Sequence, residues 1–272
     1  MSHDALLIAQ LSDAHVGTGT TFLEGRMDTE AAIRRAARHV AGLDPAPDLV
    51  LFTGDLTENG RPDEYAAVAA ALAPLAMPVY AVPGNHDDPA AALEALARWM
   101  PVADDAPGGA CCFHAHHAGL HLVALDTVVP RQSHGALGAA QLDWLGRTLE
   151  RCRDEPVLLF MHHPPVPTGL AAMDACSLRD GADALAKLVR GHGAVQGVLC
   201  GHLHRPVQTS FAGVPLHVAP SVAHQIALDL RPQAALRARL EPPKVSLHRW
   251  TPVHGLCTHL SYVEPFGEPL SL

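Results

Sequence analysis

The chain has 272 residues, is 48% hydrophobic and carries a formal charge of −9 at neutral pH with histidine uncharged. That length and apolar content suffice for one large α/β domain, or one domain with a small appendage, and the acidic balance excludes a surface built to track a nucleic-acid backbone. Nineteen histidines stand out, because histidine is the commonest metal ligand and a near-neutral acid or base.

The N-terminal stretch MSHDALLIAQLSD holds an apolar run too short for a signal-peptide core and has no basic leader. No run reaches the length of a membrane span. The expectation is a cytoplasmic protein without a membrane partner. Its six cysteines (Cys111, Cys112, Cys152, Cys176, Cys200 and Cys257) form no CxxC pair and are read as reduced thiols. Residues 5–11 read as a first strand, and DTEAAIRRAARHVAGL, with an acidic start and an apolar stripe, as a helix. A strand follows at 49–53, then the helix PDEYAAVAAALAPLA, whose leading proline and acids suit a helix start. Further strands are read at 79–82, 121–125, 157–161, 195–200 and 215–219, with helices in DPAAALEALARWM, AAQLDWLGRTLERC and GADALAKLVRGHG. Apolar strands alternating with helices indicate an α/β fold whose sheets are covered by helices. Beyond about Ala219 the pattern loses its period, and VSLHRW and THLSYVEP read as a closing hairpin. Residues 1–228 are therefore taken as a catalytic domain, and 229–272 as an elaboration packed on it, a cap or an oligomerisation element.

Metal-type ligands recur where these strands end. LSDAHVG offers Asp13 and His15, two apart and on one side of an extended chain. FTGDLTENG offers Asp55, VPGNHDD offers Asn85, His86 and Asp87, and FMHHPP offers His162 and His163. LCGHLHRP offers His202 and His204, again on one side. Functional groups of α/β sheets gather outside the carboxyl ends of the strands, so five such ends converge on one crevice. Each alone reads as a capped turn; together, in this order, they point to a dinuclear metal site. Asp13, His15, Asp55, Asn85, His162, His202 and His204 are too many for one ion and enough for two if Asp55 bridges ions about 3.5–4 Å apart. Two divalent ions outweigh two aspartates and a bridging hydroxide, leaving a positive site suited to an anionic phosphate ester. Nitrogen and oxygen donors without a thiolate fit Fe, Mn, Co or Zn.

The order DxH, GDxxxxG, GNHD, His162 before a Pro pair, and GHxH resembles the calcineurin-like metallophosphoesterases, over residues from about 6 to 225. The resemblance implies a four-layer αββα sandwich of two mixed β-sheets flanked by helices, with a small C-terminal hairpin. It also implies one ion held by Asp13, His15, Asp55 and His204 and another by Asp55, Asn85, His162 and His202. His162 is preferred to His163 as the one nearer the strand end. No arginine follows Gly54-Asp55 as in the serine/threonine protein phosphatases, and Glu58 stands where purple acid phosphatases carry tyrosine. The chain is too short for the extra domain of the periplasmic nucleotidases, and His86 is kept where lipid A pathway diphosphatases have arginine.

What remains resembles the class III cyclic-nucleotide phosphodiesterases and the glycerophosphodiesterases, somewhat more the latter, in which the histidine matching His224 contacts substrate phosphate. The implied function is hydrolysis of small phosphodiesters, glycerophosphodiesters or 3′,5′-cyclic nucleotides, by attack of a metal-bound hydroxide. The alternatives are a non-catalytic metal-dependent adaptor or a phosphomonoesterase. His86 is expected to face substrate as charge stabiliser or general acid, with Asp87 as a candidate partner for its ring, although neighbouring side chains of an extended chain point apart. A homo-oligomer is expected. His114, His116, His117 and His121 read as the solvated face of a strand pair. His217 reads as structural, as does the Cys111-Cys112 pair.

Overall fold

The computed structural model describes residues 5–17, 25–267 and 270–271. Its first sheet is built on β1 (Leu6–Leu11), β2 (Leu49–Thr53) and β3 (Val79–Val82), parallel to one another. Between and after them run α1 (Thr29–Ala41), α2 (Pro62–Leu72) and α3 (Pro89–Leu96). Local chemistry starts these helices. The Asp28 carboxylate accepts from Ala31 N, and Asp88 accepts from Ala90 N and Ala91 N, satisfying amides that the first turn leaves without intrahelical partners. Pro62 and Pro89 occupy first-turn positions, where their missing N–H is no loss.

The second sheet holds β4 (Phe113–His117), β5 (Leu120–Ala124), β7 (Val157–Phe160), β9 (Val195–Cys200), β10 (Val207–Phe211) and β11 (Val214–Val218). Their order is β10-β11-β9-β7-β5-β4, parallel inside and antiparallel at both edges. The helices α4 (Ala139–Arg151) and α6 (Ala182–Gly191) lie on its outer side, and α5 (Ala171–Asp174) is a single turn. Two short pairs complete the fold. One joins β6 (Gly135–Ala136) and β8 (Leu178–Asp180), the other β12 (Gln225–Ile226) and β13 (Ala238–Arg239).

Strand alternation makes the layers. Along β5 and β7, Leu122, Ala124, Leu158 and Phe160 pack inward with the first sheet, while Val123, Val157 and Leu159 pack outward with Trp144, Leu145 and Leu149 of α4. The first sheet is backed by Ile33, Ala37 and Val40 of α1 and Tyr65 and Val68 of α2. The result is the expected αββα sandwich of two mixed sheets. The final hairpin, β14 (Lys244–Thr251) and β15 (Gly255–Tyr262), is part of the first sheet: β14 pairs antiparallel with β1, opposing Leu6 to Trp250 and Gln10 to Ser246. All six cysteines are free thiols. Among the described residues, no helix is long and apolar enough to cross a membrane.

Candidate metal centre

The carboxyl ends of β1, β2, β3, β7 and β9 open onto one crevice, and the loops leaving them are tied together before any side chain is considered. Asp13 N donates to Gly54 O and His15 N to Asp55 O, both at 3.0 Å, so the loops after β1 and β2 run side by side. Ser221 Oγ donates to Asp13 O at 2.7 Å. The His202 amide donates to both Asp13 oxygens, at 3.0 and 3.1 Å, and the His86 amide to Asp55 Oδ1 at 2.9 Å.

The backbone at the ligands is not extended. Asp13, His15, Asp55, His202 and His204 have φ of 55°, 47°, 50°, 73° and 52°. Pairing along an extended chain, the reason given above for Asp13 with His15 and His202 with His204, is thus not what joins them. Left-handed turns just beyond the strands do, at roughly 1–3 kcal/mol each. Such strain at non-glycine residues persists only where the surroundings over-determine it. The glycines beside these ligands answer to space. A Cβ on Gly84 would lie 2.2 Å from Asp55 Oδ1, and one on Gly54 would lie 2.4 Å from His162 Nδ1.

Three histidines are oriented alike. His15 Nδ1 donates to Glu58 Oε2 at 2.8 Å, His162 Nδ1 to Thr53 O at 2.7 Å, and His204 Nδ1 to His224 O at 3.0 Å. Each therefore turns an Nε2 lone pair inward. His15 Nε2 and His204 Nε2 face each other at 3.0 Å. Asp55 Oδ2 lies 3.4 Å from His15 Nε2 and 3.3 Å from His162 Nε2, and Asp13 Oδ1 lies 3.4 Å from His204 Nε2. Asn85 Oδ1 is 3.2 Å from His162 Nε2. Donor atoms of Asp13, His15, Asp55 and His204 all fall within 4.8 Å of one another, as do those of His162, His163 and His202. His202 Nε2 is buried with no hydrogen-bond partner.

Lone pairs facing lone pairs repel unless a cation or a proton lies between them, so the donor set fits metal ions. Protons would otherwise have to serve. Burial opposes a charge on His162, yet Asp55 beside it carries its pKa up to about 9. Burial raises the Asp13 carboxyl to about 6 against the pull of His162, and burial with the His162 charge pushes His202 down to about 3.

His162, not His163, faces Asp55. The His163 ring, with Nδ1 2.7 Å from Thr127 Oγ1, converges instead on His162 and His202, and its Nε2 is buried with no hydrogen-bond partner. The His86 side chain is 37% exposed and edge-on to the His15 ring at 4.6 Å, and His224 meets His204 edge-on at 4.5 Å. Asp87 does not join them. Its carboxylate points into the protein and accepts from Gly84 N, Leu56 N, Thr57 N, Thr57 Oγ1 and Tyr65 OH. It locks the β3 loop to the β2 loop, and its part in the site is to position. The acid beside His86 is Glu58, whose backbone oxygen accepts from His86 Nδ1 at 3.1 Å and whose Oε2 lies 3.6 Å away. Sequence reasoning noticed Glu58 only as not a tyrosine. The signal available was an acid three residues past Asp55, since ligating histidines usually pass their second N–H to a carboxylate or carbonyl.

The profile of the calcineurin-like phosphoesterase family matches residues 6–206. The chain is 35% identical over 277 residues to a probable glycerophosphodiester phosphodiesterase of Arcobacter nitrofigilis, covering 97% of this chain and 96% of that one. It is 33% identical over 222 residues to a cAMP/cGMP dual specificity phosphodiesterase of Mycobacterium tuberculosis, covering 80% and 68%. A dimetal phosphatase structure from Danio rerio superposes with a TM-score of 0.66 over 95% of this chain and 99% of that one; at 16% identity the likeness concerns the fold. With the family profile spanning all five ligand-bearing loops, the chain belongs to the calcineurin-like phosphoesterases.

Proposed function

We propose that the protein is a dinuclear-metal phosphodiesterase acting foremost on glycerophosphodiesters. The observation that carries this reading is the pair of inward lone pairs, His15 Nε2 and His204 Nε2 at 3.0 Å, set against Asp13 and Asp55. In it, Asp13, His15, Asp55 and His204 would hold one divalent ion, and Asp55, Asn85, His162 and His202 would hold the other. When bound, the ions supply charge neutralisation and Lewis-acid activation of water. The protein's own groups do the rest. Glu58, Thr53 O and His224 O fix the ring orientations and tautomers of His15, His162 and His204. His86, half-buried beside the centre, stabilises charge on the phosphoryl oxygens or protonates the leaving alkoxide, and His224 contacts the phosphate. The preference for glycerophosphodiesters is supported by the relative with that name, which aligns through the final hairpin and over nearly its whole length. Cyclic nucleotides are the second reading, supported by the mycobacterial relative.

A panel of glycerophosphoethanolamine, 3′,5′-cAMP, bis(p-nitrophenyl) phosphate and p-nitrophenyl phosphate, run with Mn²⁺, Fe²⁺, Zn²⁺ and Co²⁺, tests this. The expected order of kcat/KM puts the glycerophosphodiester first and the monoester last. Turnover of no diester with any metal would leave the adaptor reading, and a preferred monoester would refute the diesterase.

A further inference from the structure

Two histidines and a cysteine outside this centre form a second convergent set of donors. They lie at the opposite end of the second sheet, where β5 and β7 begin. His114, on the edge strand β4, and His121, on β5, bring Nε2 and Nδ1 to 2.7 Å, and Cys152 Sγ lies 3.7 Å from His114 Nε2. Ligand atoms of all three fall within 4.8 Å of one another. The backbone holds them in place. Cys152 caps α4, its N–H bonded to Thr148 O and Leu149 O, while Glu155 N donates to Cys152 O and His121 N to Pro156 O. Behind His121, Glu155 Oε2 stands 3.0 Å from Nε2, close enough for an ion pair but not aligned for a hydrogen bond.

We propose that His114 Nε2, His121 Nδ1 and Cys152 Sγ form a further metal site for a borderline-soft divalent ion of the zinc class, with the Glu155 carboxylate adding negative charge behind His121. Tetrahedral zinc with Zn–N near 2.0 Å and Zn–S near 2.3 Å separates a nitrogen and a sulfur by about 3.6 Å, matching the 3.7 Å seen. The two nitrogens, now at hydrogen-bond distance, separate by about 0.6 Å to reach the spacing such an ion needs. His114 has the freedom to do so, being half-buried on an edge strand. Three protein donors leave a fourth position for water, beside His116, whose exposed ring is 4.6 Å from that of His121. The Arg151 guanidinium nearby lies 3.5 Å from Asp105 and donates to Thr148 Oγ1.

The proton balance is simple. Burial lowers the His114 pKa, which favours the neutral ring that a ligand must be. Burial raises the Cys152 thiol, and that proton is the one the ion displaces to solvent, one per ion bound.

Cobalt reads this site apart from the other. Only a cysteine ligand produces a thiolate-to-cobalt charge-transfer band, and the diesterase centre has none. Metal-free protein titrated with Co²⁺ is expected to show that band and to take up three ions. Cys152→Ser should abolish the band and reduce uptake to two, with diesterase kcat/KM unchanged within about twofold. His114→Ala, on an exposed edge and with less bearing on folding, should weaken Co²⁺ binding in the band by about tenfold or more. Cys257→Ser serves as the control, because Cys257 Sγ lies on the last strand 3.6 Å from His259 Nε2; it should leave the band intact. No band at saturating Co²⁺, or a band that survives Cys152→Ser, overturns the proposal whatever the fate of the diesterase reading.

Discussion

Two groups of buried histidines differ here in what their second nitrogen meets. At the strand ends, His15, His162 and His204 each give one N–H to a fixed acceptor and turn the other nitrogen toward carboxylates or another imidazole. Between the sheets, His217 and His248 are as deeply buried but meet only neutral polar groups. His217 Nε2 meets Ser246 Oγ at 2.7 Å, and His248 meets Gln10 Oε1 at 2.9 Å and Thr258 Oγ1 at 2.8 Å. Among the described residues no carboxylate stands by the second pair, and burial pushes His217 down to about 4 and His248 well below its ordinary value. Burial and residue type are common to both groups. A carboxylate beside the ring is what separates His15, His162 and His204 from the structural pair.

The most severe way to test that contrast is to remove the acceptor the ligands share. Asp55→Ala should abolish diester turnover and empty both metal positions, whereas Asn85→Ala should weaken one. Metal analysis of Asp55→Ala that still found two tightly held ions would remove the bridge from the account.

His86 faces outward, and its replacement should change chemistry without changing metal content. As a general acid, His86→Ala loses about 10²–10⁴ in kcat on alkyl diesters and far less on p-nitrophenyl diesters, whose leaving group needs little protonation. Equal losses on both leave charge stabilisation, and no loss on either makes the residue structural.

Glu58 sharpens the comparison, since it is what makes His15 unlike His217. Glu58→Gln should reduce metal affinity or activity by about 10–100-fold, with the loss appearing in metal titrations. Unaltered affinity would mean the carboxylate does not orient His15.

The gentlest test lies between the sheets. A histidine with pKa about 4 when folded and about 6.5 unfolded takes up more protons in the unfolded state throughout that window. Stability therefore rises with pH there and is lost as the pH falls from 6.5 toward 4. For His217 this amounts to about 2 kcal/mol between pH 7 and pH 5. Urea unfolding at the two values, under one metal condition, should show a smaller pH difference in His217→Asn than in the parent. Identical differences would assign the acid sensitivity elsewhere.

Much of this arrangement was readable in the chain because local rules and the global fold agree. Apolar runs ending at Gly54-Asp55, Gly84-Asn85 and Gly201-His202 marked both the strands and their ligands. Strands two and three matched their predicted bounds. What escaped reading was long-range or conformational. Left-handed turns at Asp13 and His202 have no periodic signature. Asp87 looked like a partner for its neighbour in sequence, yet it is claimed by amides from another loop. The hairpin at 244–262 was visible as a hairpin, but nothing in its composition says that it lies beside β1.

That last pairing governs how the molecule is born. β1 is synthesised well before β14, its neighbour in the sheet. Until β14 arrives, β1 has β2 on one side and an open edge on the other, so the first sheet closes late. Asp13 and His15 hang directly from that strand. A nascent chain stalled before residue 244 carries every proposed metal ligand and still lacks the strand that braces two of them, so full metal loading should await the tail.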